Sequence, residues 1–146
     1  MKHDWNRGIR AIKWFLALNL FPRAFHQLFM RHFYHAEIPL EDIKAPAVGA
    51  RRRWLVDVSV DSPNFTVAEV EVKPGGSTLY HSHPYEHAMF ILEGTGEVVE
   101  STGTSPLMPW EVLYIISNEL HQIRNTGGKM LKFLSVEPTQ KEEKKP

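Results

Sequence analysis

Cysteine is absent from the 146 residues, which excludes disulfide bonds and thiolate metal ligands. Any transition metal must therefore be held by imidazole or carboxylate. Long apolar runs are lacking too. Residues 11–21 are broken by Lys13 and Asn19 and lead to no small-residue cleavage site, so neither a secretory signal nor a membrane span is expected. The protein reads as cytoplasmic. Net charge is also lacking, with 17 Lys and Arg against 17 Asp and Glu. The balance hides an asymmetry: residues 1–53 carry ten basic against four acidic side chains, and residues 54–146 carry seven against thirteen. A basic head on an acidic body points to internal complementarity or a solvated helix face. Nucleic acid is not an expected partner, since no recognition motif accompanies the charge.

What is present suits one globular core. Trp5, Ile9, Ile12, Leu16 and Leu20 recur at helical spacing, and Phe21, Phe25, Leu28, Phe29 and Phe33 do so again behind Pro22. Two helices are predicted within residues 3–35, and residues 36–50, with Pro39, Pro46 and Gly49, read as a linker closing an N-terminal extension, 1–50. From residue 51 to 138 the period changes to that of strands, predicted at 54–60, 65–72, 87–92, 96–100, 111–116, 120–125 and 130–136. Pro74, Gly75 and Gly76 read as a turn. Several short strands at close spacing predict a mainly β sandwich or barrel. Residues 139–146 read as a flexible tail.

The eight histidines are unevenly placed. His81 and His83 are two apart, so on a strand both imidazoles face one side. His87 follows a bend at Pro84 and Tyr85, and His121 lies in a separate predicted strand. Three or four imidazoles converging from different strands suit a borderline divalent ion: manganese, iron, nickel, copper or zinc. Glu86 competes with His87 for a place at the ion, and strand parity favours His87. His3, His26, His32 and His35 read as helix-face residues without a ligand role.

Residues 75–94 resemble the first cupin motif: a glycine (Gly75), five residues, His81-x-His83, a short gap, a ligand slot, six residues and a second glycine (Gly94). His87 occupies the slot that is commonly glutamate. His121 and Asn125, with three residues between them, resemble the end of the second motif, although Ser117-Asn-Glu-Leu120 replaces its usual proline and glycine. The run from His81 to His87 is similar to that of a small single-domain subgroup that binds manganese through four histidines. The resemblance implies a double-stranded β-helix (a jelly-roll barrel), with His81, His83, His87 and His121 as metal ligands. Four neutral imidazoles would leave a divalent ion its full charge, suiting it to an anionic ligand.

Parity along the strands suggests Tyr80, Met89, Ile91, Tyr114, Ile123, Phe133 and Ser135 as pocket-lining residues, though each alone is more simply core. A mostly apolar pocket would suit a small aromatic or aliphatic substrate. The resemblance implies an oxygen-using, dioxygenase-like oxidoreductase that carries manganese or iron. The alternatives are a non-redox isomerase or decarboxylase, or a non-enzymatic module that binds a small ligand. Membrane contact is not expected. Packing of the N-terminal segment on the barrel, or on a second subunit in a homodimer, is the preferred account of its aromatic face.

Overall fold

A computed structural model of the chain describes residues 31–140, and the fold described below is that of the unit beginning at Phe33. The helices expected within residues 3–35 fall almost wholly outside the described residues. Residues 31–34 carry no helix, so the second one does not extend to Phe33. The expected tail beyond residue 140 lies outside as well. Among the described residues helical structure is confined to two 3-10 turns, His35–Glu37 and Val58–Val60, and no helix is long and apolar enough to cross a membrane.

The rest is one curled antiparallel sheet. Its strands are β1 (Glu41–Asp42), β2 (Val48–Val56), β3 (Phe65–Ser77), β4 (His87–Glu93), β5 (Gly96–Glu100), β6 (Gly103–Leu107), β7 (Val112–Ile115), β8 (His121–Arg124) and β9 (Leu131–Pro138). Their order is β6-β5-β8-β3-β9-β4-β7, with β2 added to β3 and β1 to β2. β3 is the spine, 13 residues long, and is paired with β2, β9 and, at Ser77, β8. Burial alternates along β4, β8 and β9, as period-2 side chains over a single core require. Val72, Ile91, Ile123, Leu131 and Phe133, each no more than 1% exposed, form the centre of that core.

Four departures from the sequence reading have physical causes. Residues 36–50 are not wholly linker: Glu41 and Asp42 pair with Arg52 and Arg51, and β2 is already paired with β3 at Val48. The prolines are accommodated because β1 is short and lies at an edge. The strand expected over 54–60 stops at Val56, where the Asp57 carboxylate accepts the Ser59 N–H at 2.9 Å and folds the chain into a turn. Pro74, Gly75 and Gly76 do not reverse the chain but form a bulge within β3. Val72 pairs with Ala50 and Ser77 with Val48, so β3 holds three residues more than β2 between these pairs. Gly75 takes φ +73° there. Finally, β6 gave no hydrophobic alternation because it is an edge strand in which only Leu107 is buried.

Among the described residues, part of the charge asymmetry is internal pairing across β2 and β3. Arg51 and Arg53 lie opposite Glu71 and Glu69, at 2.9 Å and 3.8 Å, and Lys132 on β9 reaches Glu71 at 3.5 Å. Two arginines of the basic head thus supply counter-ions to the acidic body. Arg52, between the two paired arginines, points to the other face.

Candidate metal centre

The curl of the sheet brings His81, His83 and His121 together, and one ring nitrogen from each lies within 4.8 Å of the others. β3 ends at Ser77, so the strand expected to hold His81 and His83 does not reach them. Instead His81 and His121 form an isolated antiparallel bridge, exchanging backbone hydrogen bonds of 3.0 and 2.9 Å. As a directly opposed pair their rings are 4.6 Å apart, centroid to centroid. His83 sits in the following loop, where its carbonyl accepts the Asn118 N–H at 2.7 Å and its ring stacks on Tyr85 at 4.0 Å.

The hydrogen bonds fix the tautomers. His81 Nδ1 donates to the Leu79 carbonyl (3.2 Å), His83 Nδ1 to that of Tyr85 (2.7 Å) and His121 Nδ1 to that of Glu119 (2.9 Å). Each proton therefore sits on Nδ1, and each Nε2 presents a lone pair. The Nε2 atoms of His83 and His121 are buried without any hydrogen-bond partner. Buried lone pairs left without a donor are costly, and a cation satisfies them. The donor set therefore fits a divalent metal ion.

His87 is buried beside this group, and Glu86 is exposed, as strand parity favoured. The His87 ring lies 5.5 Å from that of His83 and 6.0 Å from that of His121. It does not join the clustered three, and its Nε2 is engaged at 2.7 Å by the Ser135 hydroxyl. Ser135 Oγ donates to Glu137 at 3.3 Å, so the His87 proton is the one that points to Ser135, leaving a buried, unpartnered lone pair on Nδ1. The Tyr85 hydroxyl donates to the same carboxylate at 3.3 Å.

A cavity of about 250 Å³ opens beside the histidines. Of the residues suggested by parity, Met89, Phe133 and Ser135 line it. Ile91 and Ile123 are wholly buried in the core, and Tyr80 is half-exposed and lines neither this cavity nor the next. Tyr114 lines a separate cavity on the other side of His121. Arg52, Trp54, Tyr85 and Glu137 also line the main cavity and were not anticipated. The missed signal was the alternation of Arg51-Arg52-Arg53-Trp54 against Glu69-Val70-Glu71, which turns Arg52 and Trp54 inward.

Burial, followed by the neighbouring His83, His121 and His81, pushes the His87 imidazole down to about 3. Burial also lowers His121, against the raising effect of its bond to Glu119. Tyr85 is raised to about 12, by burial and then by Glu137. The two histidines are neutral at neutral pH, the state a metal needs. An unfolded histidine titrates near 6.5, so between about 6.5 and 3 the unfolded chain binds more protons at position 87 than the folded one. Stability of the metal-free protein should be full above pH 6.5 and fall on acidification through that window, by at most about 1.4 kcal/mol per pH unit from this residue. Urea unfolding at pH 7, 6, 5 and 4 checks this, and His87→Gln should flatten the slope.

Residues 68–137 match the cupin domain family. Among solved structures, a polyketide cyclase from Streptomyces resistomycificus is 30% identical, with a TM-score of 0.72 over 77% of this chain and 81% of that one. A cupin 2 domain-containing protein from Halorhodospira halophila is 33% identical, with a TM-score of 0.60 over 67% and 70% of the two chains. An oxalate-binding protein of Thermotoga maritima is 34% identical over 70 residues, 47% of this chain. The chain spans 17%, 42% and 58% of the curated relatives it matches. The motif spacing, the curled antiparallel sheet and these similarities agree: the chain belongs to the cupin family.

Proposed function

We propose that this cupin is a metal-dependent small-molecule enzyme in which a divalent ion held by His81, His83 and His121, with His87 as fourth ligand, acts on an anionic oxygen ligand. One observation carries the reading. Three Nδ1–carbonyl bonds direct three Nε2 lone pairs to one place, and two of those atoms are buried without a partner. For His87 to join them, its ring must shift so that the free Nδ1 lone pair, or Nε2 released from Ser135, reaches the ion. Manganese or iron fits such a set, as do nickel, copper and zinc. Bound there, the ion would keep its full charge and supply Lewis acidity.

The chain's own residues do the rest. Val70, Leu79, Met89 and Phe133 wall the cavity with apolar surface. Tyr85, Ser135 and Glu137 form a hydrogen-bonded chain that holds protons at the cavity wall. The Lewis-acid reading is favoured by the names of two relatives, a polyketide cyclase and an oxalate-binding protein. The oxygen-using, dioxygenase-like reading is the second. Four imidazoles would leave a six-coordinate ion two positions, for a substrate and a co-substrate.

Calorimetric titration with oxalate tests the first reading. Saturable binding to the metal-loaded protein should weaken at least about tenfold after metal removal, since the ligand loses its cation. Unchanged oxalate binding after chelation would refute it. Oxygen uptake by manganese- or iron-loaded protein in the presence of a bound ligand would decide for the second.

A further inference from the structure

Three consecutive arginines lie on β2, and only two of them have carboxylates. Arg51 and Arg53 face Glu71 and Glu69 across β2 and β3. Arg52 faces Val70, on the opposite side, and lines the cavity. Its Nε is buried with no hydrogen-bond partner, and no carboxylate among the described residues pairs with it. Glu41, its cross-strand neighbour on β1, is exposed and forms no ion pair with it. The other charged group on the cavity wall, Glu137, is level with Thr66 on β3, four residues from Val70, or roughly 13 Å along the strand. Its two oxygens are taken by Tyr85 and Ser135.

The guanidinium is also oriented. Its carbon lies 4.6 Å from the centroid of the Trp54 ring, two residues on and therefore on the same face. The ring holds the guanidinium by one side, and its N–H groups are left for a planar acceptor. Ala68, opposite Trp54 on β3, is small and leaves room beside the ring.

We propose that Arg52 is the anion-binding residue of this cavity, and that its ligand class is a small monocarboxylate with an apolar or aromatic body. The carboxylate lies on Arg52 and the body on Trp54, Met89 and Phe133, with the far end directed to the histidines. Only the role of that far end rests on the metal reading above. A cavity of about 250 Å³ is smaller than the roughly 300–1,000 Å³ of drug-sized sites, so the ligand is small. At the Arg52 end of the cavity, away from the histidines, one guanidinium balances a single carboxylate better than the dianion of a phosphate monoester. Its fork matches the two oxygens of a carboxylate.

Benzoate, its uncharged amide benzamide and inorganic phosphate are the probes. Each is titrated calorimetrically into wild type, Arg52→Gln and Arg52→Lys, as purified and after chelation, with metal content measured in every sample. Benzoate should bind wild type, at least about tenfold tighter than benzamide or phosphate. It should weaken at least about tenfold in Arg52→Gln, and to an intermediate degree in Arg52→Lys, which keeps the charge and loses the fork. Metal content should be the same in all three proteins. Equal benzoate affinity in wild type and Arg52→Gln, no saturable benzoate binding by wild type, or tighter binding of phosphate would overturn the proposal. If Arg52→Gln does not fold, benzoate against benzamide and the Arg52→Lys protein decide. Benzoate binding that survives in protein unable to take up metal would sink the metal reading alone and leave Arg52 standing.

Discussion

Replacing His121 by alanine should give a folded protein whose metal affinity has fallen at least about 100-fold, more than the loss of a supporting contact usually causes. The His121 side chain is 1% exposed. The fold nevertheless does not rest on the imidazole. Residue 121 is held through its main chain, by the bridge to His81 and by pairing with Glu100 on β5. The change leaves the Glu119 carbonyl without its ring donor, which a water entering the vacated space would satisfy. It also removes a buried lone pair that nothing in the protein satisfies. Metal binding loses one of three clustered donors. Metal stoichiometry and far-ultraviolet circular dichroism should therefore separate, with the first lost and the second kept. The control is His32→Ala, at an exposed position outside the cluster, which should keep its full metal content. Full occupancy in the His121→Ala protein would remove this residue from the ligand set.

Gly94→Ala should cost the fold about 4 kcal/mol or more, while Gly75→Ala should cost only about 1–2 kcal/mol. Both glycines belong to the same motif and both have positive φ, +80° and +73°. They differ in their surroundings. A Cβ on Gly94 would meet the Met130 carbonyl oxygen at 2.3 Å and the Leu131 Cα at 2.8 Å, both of them backbone. Relief requires β4 to move away from the start of β9, where Leu131 is wholly buried. A Cβ on Gly75 meets nothing within 4 Å, so only its backbone conformation is strained. Asparagine, which tolerates the left-handed region, should recover part of the loss at position 75 and none at position 94. Urea midpoints of the four variants measure the difference, and equal losses for the two alanine variants would contradict it.

That contrast shows what was legible in the sequence. The motif glycines, the His-x-His pair and His121 mark a site because each is needed locally, for a positive φ or for a ring at a fixed spacing. Asn125 belongs with them: it is buried and bonds the Val72 and Lys129 carbonyls and the Gly127 N–H, tying β3 to the turn before β9. Arg52 and Glu137 were not legible in the same way. Their presence at the site depends on which face of β2 and β9 turns inward, and on pairings between residues tens of positions apart. Arg52 reads as one more charge in a basic segment because three arginines in a row, 51–53, show no apolar alternation to mark which face turns inward. His87 shows a finer limit. Its position was readable, but its ring is engaged by Ser135, 48 residues away, and stands outside the cluster of three.

The central claim is that imidazole Nε2 atoms hold a divalent ion. X-ray absorption at the zinc edge of zinc-reconstituted protein, together with elemental analysis, tests it most directly. The account predicts one ion per chain, with a nitrogen and oxygen first shell near 2.0–2.1 Å and outer-shell scattering from at least three imidazoles. In the His121→Ala protein the imidazole scattering should drop by one ring in whatever ion remains bound. Fewer than three imidazoles around the wild-type ion, or an ion content unaffected by the substitution, would contradict it.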